Sequence, residues 1–157
     1  MNPLAKPLLA VALMLGPIAH AEYVRFEGEW RVKPGTTNDV TPATRLPVVL
    51  LAMTHASKTA DAGAEGSAIG EWSVIGEANA GSEAEAVSLL ERARLHAKRN
   101  EFEKATELID DLYARHSSFA GFGEAVQLQF EIANRLAAGE RRKLGGWFPW
   151  FRDPEGA

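Results

Sequence analysis

The chain has 157 residues, a formal net charge of −4 and no cysteine. The negative balance argues against general nucleic-acid binding, which needs a positive field. Without cysteine there is no disulfide, no thiolate metal site, no cysteine nucleophile and no cysteine-linked lipid anchor.

Residues 1–21 read as a secretory signal peptide. Lys6 supplies the positive start, Leu8 to Leu15 the apolar segment, and Ala19-His20-Ala21 the small-x-small cleavage pattern. The apolar segment is far shorter than the roughly 20 residues that span a bilayer. Export, with a periplasmic destination and an association with the outer membrane as one option, is the expectation that follows.

Residues 22–81 are expected to be an extended, flexible region. Glu22 to Arg31 carries Tyr23, Val24, Phe26 and Trp30 and suits a short strand, an extended segment that packs its aromatics on a partner, or a loosely ordered N-terminus. Pro34-Gly35 marks a turn. The apolar run Leu46 to Met53 is too short to cross a membrane, and periodicity alone does not decide between strand and helix. Residues 57–70 are small and flexible and read as a linker, after which Glu71-Trp72-Ser73-Val74-Ile75 is expected to touch the folded part again.

The pattern changes at Ser82, where Ser82 and Glu85 have the spacing of a capping box. Ala86, Leu89, Leu90, Ala93 and Ala97 follow at helical spacing, predicting a first helix over 83–98. Asn100 breaks it and is expected to cap the next. Phe102, Ala105, Leu108, Ile109 and Leu112 predict a second helix over 101–115. Ser117, Ser118 and Gly121 mark a turn, and Ala125, Leu128, Ile132 and Leu136 predict a third over 123–138, closed by Gly139. Helices joined by such short turns are antiparallel neighbours. The expected fold is therefore all-α: an antiparallel hairpin plus a third helix over 82–140, behind a largely irregular N-terminal region.

This part of the chain resembles a tetratricopeptide repeat (TPR). Ala93, Phe102, Ala105 and Leu112 fall where such repeats place small residues at the helix crossing and large ones at the packing face. From Glu124 onward the sequence looks like the BamD-like TPR proteins of the bacterial cell envelope. Gln129, Glu131, Ile132, Ala133, Gly139, Lys143, Leu144, Gly145, Phe148 and Pro149 carry that likeness, and Gly28-Glu29-Trp30 resembles the short element such proteins have after their leader. The resemblance covers about residues 82–151. It implies a scaffold that binds other envelope proteins, acting in outer-membrane protein assembly or envelope maintenance. Such proteins carry further repeats, so it also implies a member shortened at the C-terminus.

The concave face of the first and third helices is the expected partner surface, with Gln127, Glu131, Asn134 and Arg135 as its candidate polar contacts. The basic-aromatic tail of residues 141–157 would extend it through Arg141, Arg142, Lys143, Trp147, Phe148, Trp150 and Phe151. Three uses of the tail fit its composition: packing against the third helix and a following one, a partner-binding hot spot, or a peripheral membrane contact. The last makes a membrane-surface protein the alternative function. Among the four histidines no ligand spacing occurs, and no cofactor is expected. Glu103, Glu107, Asp110 and Asp111 suit a solvated helix face, and no nucleophile elbow or phosphate loop is present. Neither catalysis nor a small-molecule substrate is expected.

Overall fold

The computed structural model describes residues 22–33 and 46–139. Among them are two strands, β1 (Tyr23–Phe26) and β2 (Glu29–Val32). Five helices follow: α1 (Leu46–Asp61), α2 (Glu65–Ala78), α3 (Glu83–Lys98), α4 (Phe102–Arg115) and α5 (Phe122–Ala137). The fold is all-α in substance, built of antiparallel helical hairpins, with one small sheet. Each helix packs mainly on the next, and the turns between them are short. The leader and the basic-aromatic tail, from Arg141 to Phe151, lie outside the described residues.

β1 and β2 pair antiparallel, with Tyr23 opposite Val32 and Phe26 opposite Glu29. Glu27 and Gly28 form the turn at φ 51° and 81°, the double positive φ that matches the twist of a two-residue hairpin. Trp30 fastens the hairpin to the helices. Its backbone N–H donates to Thr54 Oγ1 at 3.0 Å and its indole Nε1 to Ser57 Oγ at 2.8 Å. Its ring meets Trp72 edge-on, with centroids 5.8 Å apart. This settles the N-terminal segment as a strand pair.

Residues 46–78 correct the sequence reading. The apolar run and the supposed linker are two helices. In α1, Val49, Met53 and Ala56 are buried at helical spacing, while Leu51 stays 68% exposed. In α2, Ala68, Trp72, Ile75 and Gly76 form the buried stripe. A segment this rich in Gly and Ser has weak helix propensity of its own, and packing on both neighbours supplies its stability. Gly63, at φ 81°, ends α1 in a Schellman turn, with Ala64 N–H on Thr59 O and Gly63 N–H on Ala60 O.

At the α2–α3 crossing the backbones come close. Ser88, fully buried, donates its hydroxyl to the Trp72 carbonyl. A Cβ on Gly76 would sit 2.8 Å from Ser88 Oγ. Gly76→Ala must therefore displace a hydroxyl held by a buried hydrogen bond. The expected result is a loss of about 1–3 kcal/mol despite alanine's better helix propensity, read by denaturant titration.

α3 and α4 form the central hairpin. Ala93, Ala105, Ile109 and Leu112 are at most 0% exposed at this seam, and Phe102 is 2% exposed. The far end is tied by Glu85, which receives Arg115 Nη1 at 2.5 Å and His116 Nε2 at 3.1 Å. Two end signals act differently from their expected roles. Ser82 precedes α3, but its hydroxyl donates to Asn79 O, and Glu85 reaches back to the Gly81 N–H at 2.6 Å. Asn100, at φ 61°, is the left-handed residue that closes α3 in a second Schellman turn, so Glu101 and not Asn100 precedes α4. The Asn100 side chain instead receives a guanidinium N–H of Arg135.

Candidate functional site

One face of α3 and one face of α5 look at each other across an open groove. Their residues recur at helical spacing: Glu83, Val87, Leu90, Glu91, Arg94 and Lys98 from α3, and Glu124, Gln127, Leu128, Glu131 and Arg135 from α5. The groove comprises two adjoining cavities of about 560 Å³ and 610 Å³ that share Arg94 and Glu124. The first is closed at one end by β1 and by the Phe119–Gly121 connection, and its inner wall includes Trp30. The second opens toward the C-terminal ends of α3 and α5.

Charge along the groove is mixed and unevenly compensated. Arg94 stands between the two cavities and bridges Glu91 on its own helix to Glu124 on α5. Burial pushes the Glu91 carboxyl above the usual carboxylate range, against the opposing pull of Arg94. Glu83 lies at the other end, beside β1. Burial raises its pKa to about 7, with the charge of Glu22 adding to the rise and a backbone hydrogen bond from Ala120 opposing it. Tyr23 is pushed up to about 12, first by burial and then by Glu83. Its buried hydroxyl has no hydrogen-bond partner among the described residues.

These shifts carry a stability consequence. Between the unfolded value near 4.5 and the folded value near 7, the folded state binds more protons at Glu83, so this group's contribution worsens as pH rises through that window. Glu83→Gln removes the cost of burying the charge. It is expected to raise the melting temperature at pH 8 by roughly 4 °C, allowing for solvent screening, and by almost nothing at pH 4.5, as read by paired thermal melts.

The structure distributes the four candidate contacts of the third helix unequally. Gln127 and Glu131 are exposed and line the groove. Arg135 also lines it, but its guanidinium donates to Ala97 O at 2.9 Å and to Asn100, and lies 4.8 Å over the Phe102 ring. It braces α5 against the α3–α4 turn. Asn134 is exposed and lies outside both cavities. Sequence reasoning pointed to the face of the first helix as well but named none of its residues; Glu83, Glu91 and Arg94 form that opposite wall. Glu83, Glu91 and Arg94 flank the apolar stripe of that helix, and sequence alone does not distinguish such flanking charges from an ordinary solvated face.

Glu103, Glu107, Asp110 and Asp111 are exposed on α4, as a solvated face requires. Among the described residues, no three His, Asp or Glu side chains are placed to hold a metal ion. Among the same residues, no helix is long and apolar enough to cross a membrane. No family model, curated protein or solved structure matches the chain.

Proposed function

We propose that this chain is an exported, TPR-like scaffold of the BamD-like type, which binds envelope proteins through the groove between α3 and α5 and makes or breaks no bonds. The observation that supports this reading most is the groove itself. It is long and open, its floor is formed by core residues such as Leu90 and Leu128, and its rim carries exposed polar side chains, among them Gln127 and Glu131. Grooves of this shape form when helical hairpins stack with a small rotation between them, and such concave faces serve as extended binding surfaces. The outer side of α5 adds a second feature expected of a stacked array. Phe122, Val126 and Phe130 stand 38%, 48% and 67% exposed in one stripe, a face of the kind that a further element covers. In this reading residues 1–21 direct export to the periplasm, and the basic-aromatic tail extends the binding surface.

A photo-reactive amino acid placed at Gln127 tests the proposal in cells. The expected result is a discrete adduct with an envelope protein from position 127 and none from Asp110 on the exposed face of α4. Equal labelling from the two positions, or no adduct from position 127, contradicts it.

A further inference from the structure

Among the described residues one edge of β1 is unpaired, and that edge opens into the groove. The Lys33 N–H bonds the Glu22 carbonyl at 2.8 Å, which fixes the phase of the ladder. With Phe26 opposite Glu29 beside a two-residue turn, Glu22, Val24 and Phe26 direct their backbone groups at β2. Tyr23 and Arg25 therefore direct theirs away from it. The corresponding outward edge of β2 is covered, since the Trp30 N–H is taken by Thr54 of α1. The backbone groups of Tyr23 and Arg25 have no such partner among the described residues. Both residues line the first cavity. An uncovered row of backbone donors and acceptors is a template for one more strand.

The surroundings specify what that strand should carry. A strand beside β1 alternates its side chains between the helix side and the solvent side. On the solvent side it would run along Val24 and Phe26, which are 36% and 54% exposed. On the helix side it would meet the first turns of α3. There Arg25 is engaged by Asp61, Glu22 by Lys33, and Arg94 by Glu91 and Glu124. Glu83 alone among these carboxylates has no cation paired with it among the described residues.

We infer that the free edge of β1 captures an extended peptide segment by strand addition, one that alternates apolar residues toward Val24 and Phe26 with a lysine or arginine toward Glu83. This deepens the scaffold reading and rests on it, because it names the class of segment the groove takes at its β1 end. The half-buried carboxylate with its raised pKa fits the assignment, since an incoming cation would stabilise its charged form.

The test uses the full chain without its leader and the synthetic peptide acetyl-Val-Lys-Val-Lys-Val-amide, followed by NMR. Strand addition predicts that a saturating peptide slows hydrogen exchange of the Tyr23 and Arg25 amides at least ten-fold. Methylating the peptide's edge-facing backbone nitrogens should weaken binding at least ten-fold with no change to the protein. Glu83→Gln should weaken the lysine peptide about five-fold, and the same peptide with glutamate for lysine should not bind. Binding that perturbs Gln127 and Glu131 but leaves the Tyr23 and Arg25 amides unchanged would overturn strand addition while leaving the scaffold reading standing. Absence of binding overturns it as well, and so does protection of those two amides in the free chain, which would show a segment of the chain itself on that edge. The scaffold reading fails separately, through the cross-linking outcome at Gln127.

Discussion

Replacing Trp72 with alanine is expected to cost about 3–5 kcal/mol, at the top of the range for truncating a buried side chain. Trp72 is 0% exposed and is the largest of the fully buried side chains. It is also where three elements meet: it lies in α2, its carbonyl receives Ser88 of α3, and its ring stands edge-on to Trp30 of β2. Removing the indole empties the space that joins the hairpin to the helices. A domain of this size has roughly 5–15 kcal/mol in total, so the variant should be largely unfolded well below the melting temperature of the parent. Trp72→Phe should cost far less. The buried indole Nε1 has no hydrogen-bond partner among the described residues, so phenylalanine gives up volume but no polar contact there. Chemical denaturation followed by circular dichroism reads both. An alanine variant as stable as the parent would mean that residues 65–78 are not part of the core.

Ala105→Asp should be as damaging for a different reason. Ala105 is 0% exposed on α4, at the seam with α3 where Ala93 is equally closed off. A carboxylate at this position would be closed off from water. A charged group forced there costs several kcal/mol or takes up a proton to stay neutral. We expect loss of the cooperative unfolding transition at pH 7, with partial recovery near pH 4 as the new carboxyl protonates. Ala105→Ser at the same place should cost about 1–2 kcal/mol, which separates the effect of charge from that of crowding.

These two sites mark the line between what could and could not be read from the sequence. Ala105 belongs to the legible part. The helices expected over 83–98, 101–115 and 123–138 are observed at Glu83–Lys98, Phe102–Arg115 and Phe122–Ala137. They were readable because Leu, Ile and Phe recur on one face and because Asn100 and Gly139 punctuate the ends, both at positive φ. Trp72 lies on the boundary: contact of residues 71–75 with the folded part was expected, but not the helix that holds them. Its helix buries Ala68 and Gly76 beside it, and small residues give no hydrophobic signal even when they are at the centre of a crossing. In α1 the stripe of Val49, Met53 and Ala56 was hidden inside a run that is apolar on every side. The hairpin turn escaped because Glu27 occupies a position where Asn or Asp is the usual marker.

The groove was half legible for a related reason. Gln127 and Glu131 were identified from one helix face, and the structure places both on the groove wall. Glu83 and Arg94 form the opposite wall, and β1 closes one end. No periodicity in a single segment reports which solvated face lies opposite another. That is decided by how the hairpins stack, which depends on close contacts such as Gly76 on Ser88 and Arg135 on Phe102.

All of this requires α1 to α5 to hold as one array, since the groove exists only while α3 and α5 are kept at their observed separation. Native-state hydrogen exchange of the leader-free chain tests that most directly. The array predicts that the most protected amides of α1 to α5 open with a shared free energy and that Trp72→Ala lowers all of them together. Fast, unprotected exchange throughout Leu46–Asp61 and Glu65–Ala78, with α3 and α4 still protected, would contradict it.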